Sequence, residues 1–317
     1  MPDTRPSARL RRATDTLAGS GVPSPRADAE LLLAHALGVS RGEVRRLTVL
    51  DRDLPDAVVP RFEELVTRRA ARVPLQHLTG TAPFRHLEIA VGAGVFVPRP
   101  ETEQVAQVAI DAARAAVQGT GSATVVDLCT GSGAIALAVA TEVPGAVVHA
   151  VELDARAHRW AERNVAGVRA EQGVVVHLVR GDARSALPDL DGRCDVVVSN
   201  PPYVPPGAVP RDPEVADHDP AVALYGLGPD GLEVPRGVTR AAARLLRAGG
   251  LYVMEHAEVQ ASGARDMVVA TGGFEDVRTE QDLTGRDRMV VATRGPRDDA
   301  GHADLPEGAG RRERLAP

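Results

Sequence analysis

The chain has 317 residues, 44% of them hydrophobic, with a formal net charge of −6, two cysteines and no lysine. That length suits a domain of about 200 residues plus a smaller one, and the acidic balance gives no general attraction to nucleic acid or an anionic membrane. Cys129 and Cys194 lack metal-site or disulfide-framework spacing, and "MPDTRPSARLRRATD" has no apolar core for a signal peptide. No apolar run approaches the length of a membrane helix, so a soluble cytoplasmic protein with reduced thiols is expected.

Residues 1–75 read as a small helical bundle. In "SPRADAELLLAHALG", Ser24 is a candidate cap, Pro25 takes the first helical position and Gly38 is a stop. A second helix is expected in "PDAVVPRFEELVTRRAARVP", closed by Pro74; its arginines, Arg68 to Arg72, read as a solvated helix face or as a docking patch. Residues 76–100 form a linker in which "FRHLEIAV" and "VFVP" suggest a hairpin about "GAG". The third segment, residues 101–294, opens with a helix over "ETEQVAQVAIDAARAAV".

From residue 121 the pattern changes. "ATVVDLC", "AVVHAVE", "VVVHLVR" and "CDVVVSN" are short β-branched runs without alternation, as strands covered on both faces require. Helical patterns separate the first three, which predicts a parallel, doubly wound α/β sheet with right-handed crossovers. A helix over "GLEVPRGVTRAAARLLRA", a strand "GLYVMEH", a helix "VQASGARDMVVAT" and a closing antiparallel pair, "FEDVRTEQDL" and "DRMVVATR", complete it. Residues 295–317 read as a disordered tail.

"VVDLCTGSGAIALA" leaves a strand, turns at Gly131 and Gly133 and enters a helix, so its backbone can approach a ligand closely. With Ala136 it satisfies a dinucleotide pattern, and Glu152, about 20 residues on, could hold ribose hydroxyls. A nicotinamide enzyme therefore stands as one reading. Asp127 before the turn and Asp182 with Ala183 after the third strand favour S-adenosylmethionine instead. Asp127 would order the turn and the methionine end, and the Asp182 carboxylate would accept from the adenine amine, unless it is only a turn former. Cys129 stands where a glycine is commoner; it is tolerable there if its φ is negative, and is expected to be a buried small side chain, not a nucleophile.

"SNPPYVPP" follows the fourth strand, beside the first, where ligands sit in such sheets. The prolines stiffen the backbone and carry carbonyls without competing donors. Asn200 offers one oxygen acceptor and the Pro201 carbonyl another, a match for the two donors of a conjugated NH₂ group. Tyr203 can lie over the substrate plane. Adenine N6, guanine N2 and a glutamine side-chain amide all satisfy this arrangement.

"PRADAELLLAHALG", "RRAARVPLQHLTG", "VFVPRPETE", "DLCTGSGAIALA", "SNPPYV", "DPAVALYGLGPDGLEV" and "MEH" together resemble the HemK/PrmC family of peptide chain release factor glutamine methyltransferases, from about residue 9 to 294. The resemblance implies a class I S-adenosylmethionine-dependent methyltransferase domain with a seven-stranded, mostly parallel sheet, a hairpin linker and a five-helix N-terminal substrate-recognition domain. It implies methylation of the side-chain amide nitrogen of the glutamine in the Gly-Gly-Gln loop of release factors, with S-adenosyl-L-homocysteine as product and no metal. By position, Asp127, Cys129, Thr130, Gly131, Ser132, Gly133, Glu152, Asp182, Ala183 and Asn200 would surround the cofactor. Asn200, Pro201, Pro202 and Tyr203 would hold the glutamine, with Asn200, Pro201 and Tyr203 catalytic. The partner expected is a release factor, with no direct nucleic acid contact and a monomeric enzyme; an adenine-N6 nucleic acid methyltransferase and a non-catalytic binding module are the rivals. Arg99 and Glu101 are expected either to pair locally or to close over the cofactor. Glu255 is expected to pack or to order loops, not to take part in the chemistry. The loop after Tyr203, with His218 and Asp219, is long enough for a lid.

Overall fold

The computed structural model describes residues 4–296 apart from residue 211, so the expected disordered tail lies outside the described residues from residue 297 onward. Five helices come first: α1 (Pro6–Gly19), α2 (Pro25–Leu37), α3 (Arg41–Leu50), α4 (Val58–Ala70) and α5 (Leu75–Thr79). Helix α2 starts at Pro25, whose missing N–H costs nothing there, and stops at Gly38 with φ 70°. Ser24 stands at the cap position without a side-chain cap bond, whereas Ser40 caps α3 by accepting from the Glu43 N–H. Leu10, Leu17, Leu32, Leu33, Val44 and Phe62 close a core of their own, apart from those of the sheet.

The linker hairpin pairs β1 (Thr81–Phe84) with β2 (Leu87–Ala90) and turns at Arg85 and His86, one strand earlier than the sequence suggested. Arg85, in the left-handed region at φ 54°, is held there by Glu103 on its N–H and by Gln107 and Glu142 on its guanidinium. "GAG" serves close packing instead of a turn between strands. A Cβ on Gly92 would lie 2.6 Å from the Trp160 ring, and "VFVP" runs on unpaired.

The sheet elements follow: α6 (Thr102–Thr120), β3 (Ala123–Leu128), α7 (Ala134–Glu142), β4 (Ala146–Glu152), α8 (Ala155–Gln172), β5 (Val176–Arg180), β6 (Cys194–Ser199), α9 (Pro213–His218), α10 (Ala221–Leu224), α11 (Glu233–Leu245), β7 (Leu246–Glu255), α12 (Ala261–Thr271), β8 (Phe274–Gln281) and β9 (Asp287–Arg294). The order is β5-β4-β3-β6-β7-β9-β8, with β3 to β7 parallel and β9 antiparallel to both its neighbours. This is the doubly wound, seven-stranded sheet with a helical N-terminal bundle that the sequence predicted. Separate apolar clusters cover its two faces, which is why the central strands read as unbroken β-branched runs. The order reverses between β3 and β6, and the carboxyl ends of those strands open the crevice where ligands bind in such sheets.

Candidate active site

A cavity of about 640 Å³ lies at this switch point. Its walls include Thr130, Gly131 and Ser132 after β3, Glu152 at the end of β4, Asp182 and Ala183 after β5, and Asn200, Pro202 and Tyr203 after β6. Four segments far apart in sequence are thus brought together around one cavity. Asp127, Gly133 and Pro201 do not line it. Asp127 is fully buried behind the loop: its Oδ2 accepts from Thr130 Oγ1 at 2.5 Å and from the Ala136 N–H at 3.1 Å, while its Oδ1 has no partner among the described residues. It braces the turn from behind the cavity wall. Burial pushes its carboxyl up to about 7, against the pull of the Thr130 and Ala136 hydrogen bonds.

Gly131 and Gly133 adopt φ of 58° and 86°. Cys129 does too, at φ 63°, so the condition under which a side chain would be unstrained there is not met. Its thiol is pushed up by burial and by the nearby Glu152 and Asp127 carboxylates, which leaves it protonated and inert.

Glu152 accepts from the Gly131 N–H and the Asp154 N–H, both at 2.8 Å, so one carboxylate fixes the Gly turn to the end of β4. Each of its oxygens keeps a second acceptor direction. Burial pushes its pKa up, with those two N–H donors pulling the other way. Asp182 is held by Arg184 at 2.6 Å and accepts from the Arg184 N–H, so in this structure it is the turn former that the sequence allowed as well as a wall residue.

The Asn200 to Val204 backbone is clamped from outside. The Tyr203 and Val204 N–H groups donate to the Leu224 carbonyl, and Gln260 Nε2 donates to the Tyr203 carbonyl at 2.8 Å. A Cβ on Gly231 would lie 2.4 Å from the Tyr203 carbonyl, which is why "LYGLGPDG" must be glycine-bearing to pack on this loop. Asn200 Nδ2 donates to Thr102 Oγ1 at 3.3 Å, Thr102 donates to Glu255 at 2.7 Å, and the Tyr203 hydroxyl donates to Glu255 at 3.1 Å. Among the described residues no hydrogen bond reaches Asn200 Oδ1. The free acceptor belongs to a residue that lines the cavity.

The segment between β6 and α11 covers the cavity through Val209, Pro210, Val215 and Pro220 to Leu224. It is tied down by arginines whose roles the sequence left open. Arg99 pairs with Asp219 at 2.8 Å and stacks on Phe96, so its partner is not Glu101, and Asp219 is held as a structural anion away from the cavity lining. Arg69 is buried between Asp28 and Glu214, and Arg72 also pairs with Glu214. At these two positions the "RRAAR" group is therefore not a solvated face; it fastens the helical bundle to the covering segment. Thr102, Gln260 and Glu214 were not singled out from sequence. Only Thr102, inside "PRPETE", lay in a motif that drew notice.

The chain matches two families of domains, the PrmC N-terminal domain over residues 9–80 and the methyltransferase small domain over residues 93–212. It is 51% identical over 286 residues to a release factor glutamine methyltransferase of Streptomyces coelicolor, covering 90% of this chain and 96% of that one. A protein of the same name from Mycolicibacterium smegmatis is 50% identical over 92% of this chain and 98% of its own length. A Streptomyces pristinaespiralis protein named 4-amino-L-phenylalanine/4-methylamino-L-phenylalanine methyltransferase is 42% identical, over 90% of this chain and 94% of its own. Half the residues are shared with the first two across nearly their whole length, and the chain belongs to the release factor glutamine methyltransferase family.

Proposed function

We propose that the enzyme transfers a methyl group from S-adenosylmethionine to the side-chain amide nitrogen of the glutamine in the Gly-Gly-Gln loop of peptide chain release factors. The observation that carries this reading is Asn200 Oδ1, which no hydrogen bond reaches among the described residues, on a residue of the cavity wall whose Nδ2 donates one of its two N–H bonds to Thr102. An acceptor oriented in this way selects an N–H group, and a conjugated NH₂ offers two.

The walls suit the cofactor. Glu152, Asp154 and Asp182 line the cavity against one cation among the described residues, Arg184, itself paired with Asp182, an excess of carboxylates that favours a diol and an amine over a pyrophosphate. That weighs against the nicotinamide reading. When bound, the cofactor supplies an electrophilic methyl group on a sulfonium. Glu152 would hold ribose hydroxyls, Asp182 and Ala183 the adenine, and Thr130 to Ser132 the methionine end.

The protein's own part is orientation and exclusion of water. An amide nitrogen is a poor nucleophile, and holding its N–H bonds on fixed oxygens aligns it and favours the charge that develops as it attacks. The Pro201 carbonyl, adjacent in the chain, would be the second oxygen, and the Tyr203 ring would flank the substrate plane. The largely apolar covering segment keeps water out. No strong base is needed, because the nitrogen becomes acidic as the new bond forms. Neither Asp219, whose Oδ2 is paired with Arg99, nor Glu255, which holds two hydroxyls, lines the cavity. A nucleic acid substrate would call for unpaired cations, whereas Arg69, Arg72, Arg99 and Arg184 around the site are all in ion pairs.

Incubating the enzyme with S-adenosylmethionine and a recombinant release factor, then mapping the product by mass spectrometry, tests the reading. One methyl group on the Gly-Gly-Gln glutamine is expected. An unmodified release factor, with methyl appearing on DNA, RNA or added 4-amino-L-phenylalanine, would overturn it.

A further inference from the structure

Asn200 can face the cavity in two ways that differ only by a half-turn of its amide. One presents an oxygen; the other presents two N–H donors, which would confront the donors of an incoming NH₂ group. Something must choose between them. Thr102, buried at the start of α6, has one hydroxyl proton, and it is given to Glu255 Oε2 at 2.7 Å. Its oxygen can then only accept, and it accepts from Asn200 Nδ2 at 3.3 Å. Glu255, at the end of β7 and 1% exposed, also takes the Tyr203 hydroxyl proton on Oε1. It does not line the cavity itself.

We propose that Glu255 is a positioning residue for the methyl transfer: through Thr102 it sets which end of the Asn200 amide meets the substrate, and through the Tyr203 hydroxyl it fixes the neighbouring ring. This rests on the reading of Asn200 given above. The reversed amide requires Thr102 to donate to Asn200 Oδ1, and so requires Glu255 to stop accepting and donate instead. An ionised carboxylate has no proton to give, so the reversed state is excluded while Glu255 is charged.

Protonation would supply the missing donor. Burial pushes the Glu255 carboxyl up to about 7, opposed by its bonds to Thr102 and Tyr203; Arg288 on β9 favours the charged form and Glu101, preceding α6, disfavours it. The Tyr203 phenol is pushed far above its ordinary value by burial and by Glu255, so it stays a donor. Turnover should therefore fall as pH drops through the Glu255 titration, for lack of a correctly turned amide.

The test uses Glu255→Gln, Thr102→Val and Thr102→Ser, each assayed for kcat and KM on a release factor from about pH 6 to about pH 9, with cofactor affinity by calorimetry. Glu255→Gln is expected to lower kcat roughly 10- to 100-fold, with cofactor affinity within about threefold, and to lose the low-pH limb of the kcat profile. Thr102→Val should lose as much, and Thr102→Ser, which keeps the hydroxyl, should return kcat to within about threefold of the wild type. A Gln variant with wild-type kcat, an unchanged low-pH limb or a loss that follows cofactor affinity would overturn the proposal. So would a Thr102→Val variant as active as the wild type. Should the Gln variant not fold, the Thr102 pair decides alone. A wild-type enzyme that leaves the release factor unmethylated would instead remove the reading of Asn200, and this inference with it.

Discussion

Two loops face one cavity, and each stands on a buried carboxylate pushed up to about 7 by burial. The loop after β3 rests on Asp127, which reaches Thr130 and Ala136, three and nine residues further along the same chain segment. The loop after β6 rests on Glu255, which reaches Tyr203 and Thr102 from 52 and 153 residues away. The first arrangement is local and shapes a turn. The second joins α6, β7 and the Asn200 loop, and its members have no meaning apart from one another. The second also has both carboxylate oxygens bonded, whereas Asp127 Oδ1 has no partner among the described residues. A carboxylate that holds a turn can tolerate an idle oxygen; one that fixes the direction of a hydrogen-bond chain needs both.

The comparison is broken most sharply at the ligand end of the second loop. Asn200→Ala should lower kcat by about a hundredfold or more, the scale seen when a positioned polar group is lost, with cofactor affinity changed much less. Turnover within a few-fold of wild type would remove Asn200 from the reaction. On the first loop, Asp127→Ala should act through the fold. Loss of the acceptor for Thr130 and the Ala136 N–H should cost about 2–3 kcal/mol in denaturant unfolding. Cofactor affinity should weaken together with stability. A variant that binds cofactor poorly at undiminished stability would mean that Asp127 touches the ligand after all.

The two carboxylates also predict a shared pH dependence. Each has a folded-state pKa above its unfolded value, so the folded protein holds more protons than the unfolded chain between roughly pH 4 and pH 7. Their contribution is greatest below about pH 4 and is lost as pH rises to about 7. Glu214 works in the opposite sense. Burial alone would raise it, but bonds from Arg72 and Arg69 hold it down at about 2, so its contribution is present above its unfolded pKa and is lost as pH falls from there through the folded value of about 2. Chemical unfolding at a series of pH values should show Asp127→Asn combined with Glu255→Gln flattening the decline between pH 5 and about pH 7. A slope equal to wild type would mean that neither carboxyl is held neutral.

What the sequence made legible follows the same division between local and distant. The parallel, doubly wound sheet came from β-branched runs separated by helical patterns, because a strand covered on both faces leaves that mark in its own residues. Gly131, Glu152, Asp182 and Asn200, which line the cavity, could be singled out because each ends or follows a strand at the sheet's carboxyl edge, a position that periodicity locates. Thr102 and Gln260 were missed, since a threonine at a helix start and a glutamine before a helix look like capping residues wherever they occur. Glu214 was missed because its partners, Arg69 and Arg72, sit in another folding unit 142 residues away in the second case. The hairpin was displaced by one strand because two glycines near an apolar run look alike whether they make a turn or admit an indole.

The smallest expected effect lies at the one place where the first loop departs from its usual glycine. Cys129 holds φ 63° with a Cβ, a conformation that costs an L-residue about 1–2 kcal/mol. Cys129→Gly removes that cost and gives back about 0.5–1 kcal/mol through the freer unfolded chain, besides the contacts of a half-buried thiol. A net gain of up to about 1 kcal/mol in unfolding free energy is expected. Cys129→Ala separates the causes, because alanine discards the thiol but keeps the Cβ in the left-handed region. Alanine should therefore give no gain. If both substitutions destabilise equally, the thiol's packing outweighs the backbone strain, and the loop has adapted to its cysteine.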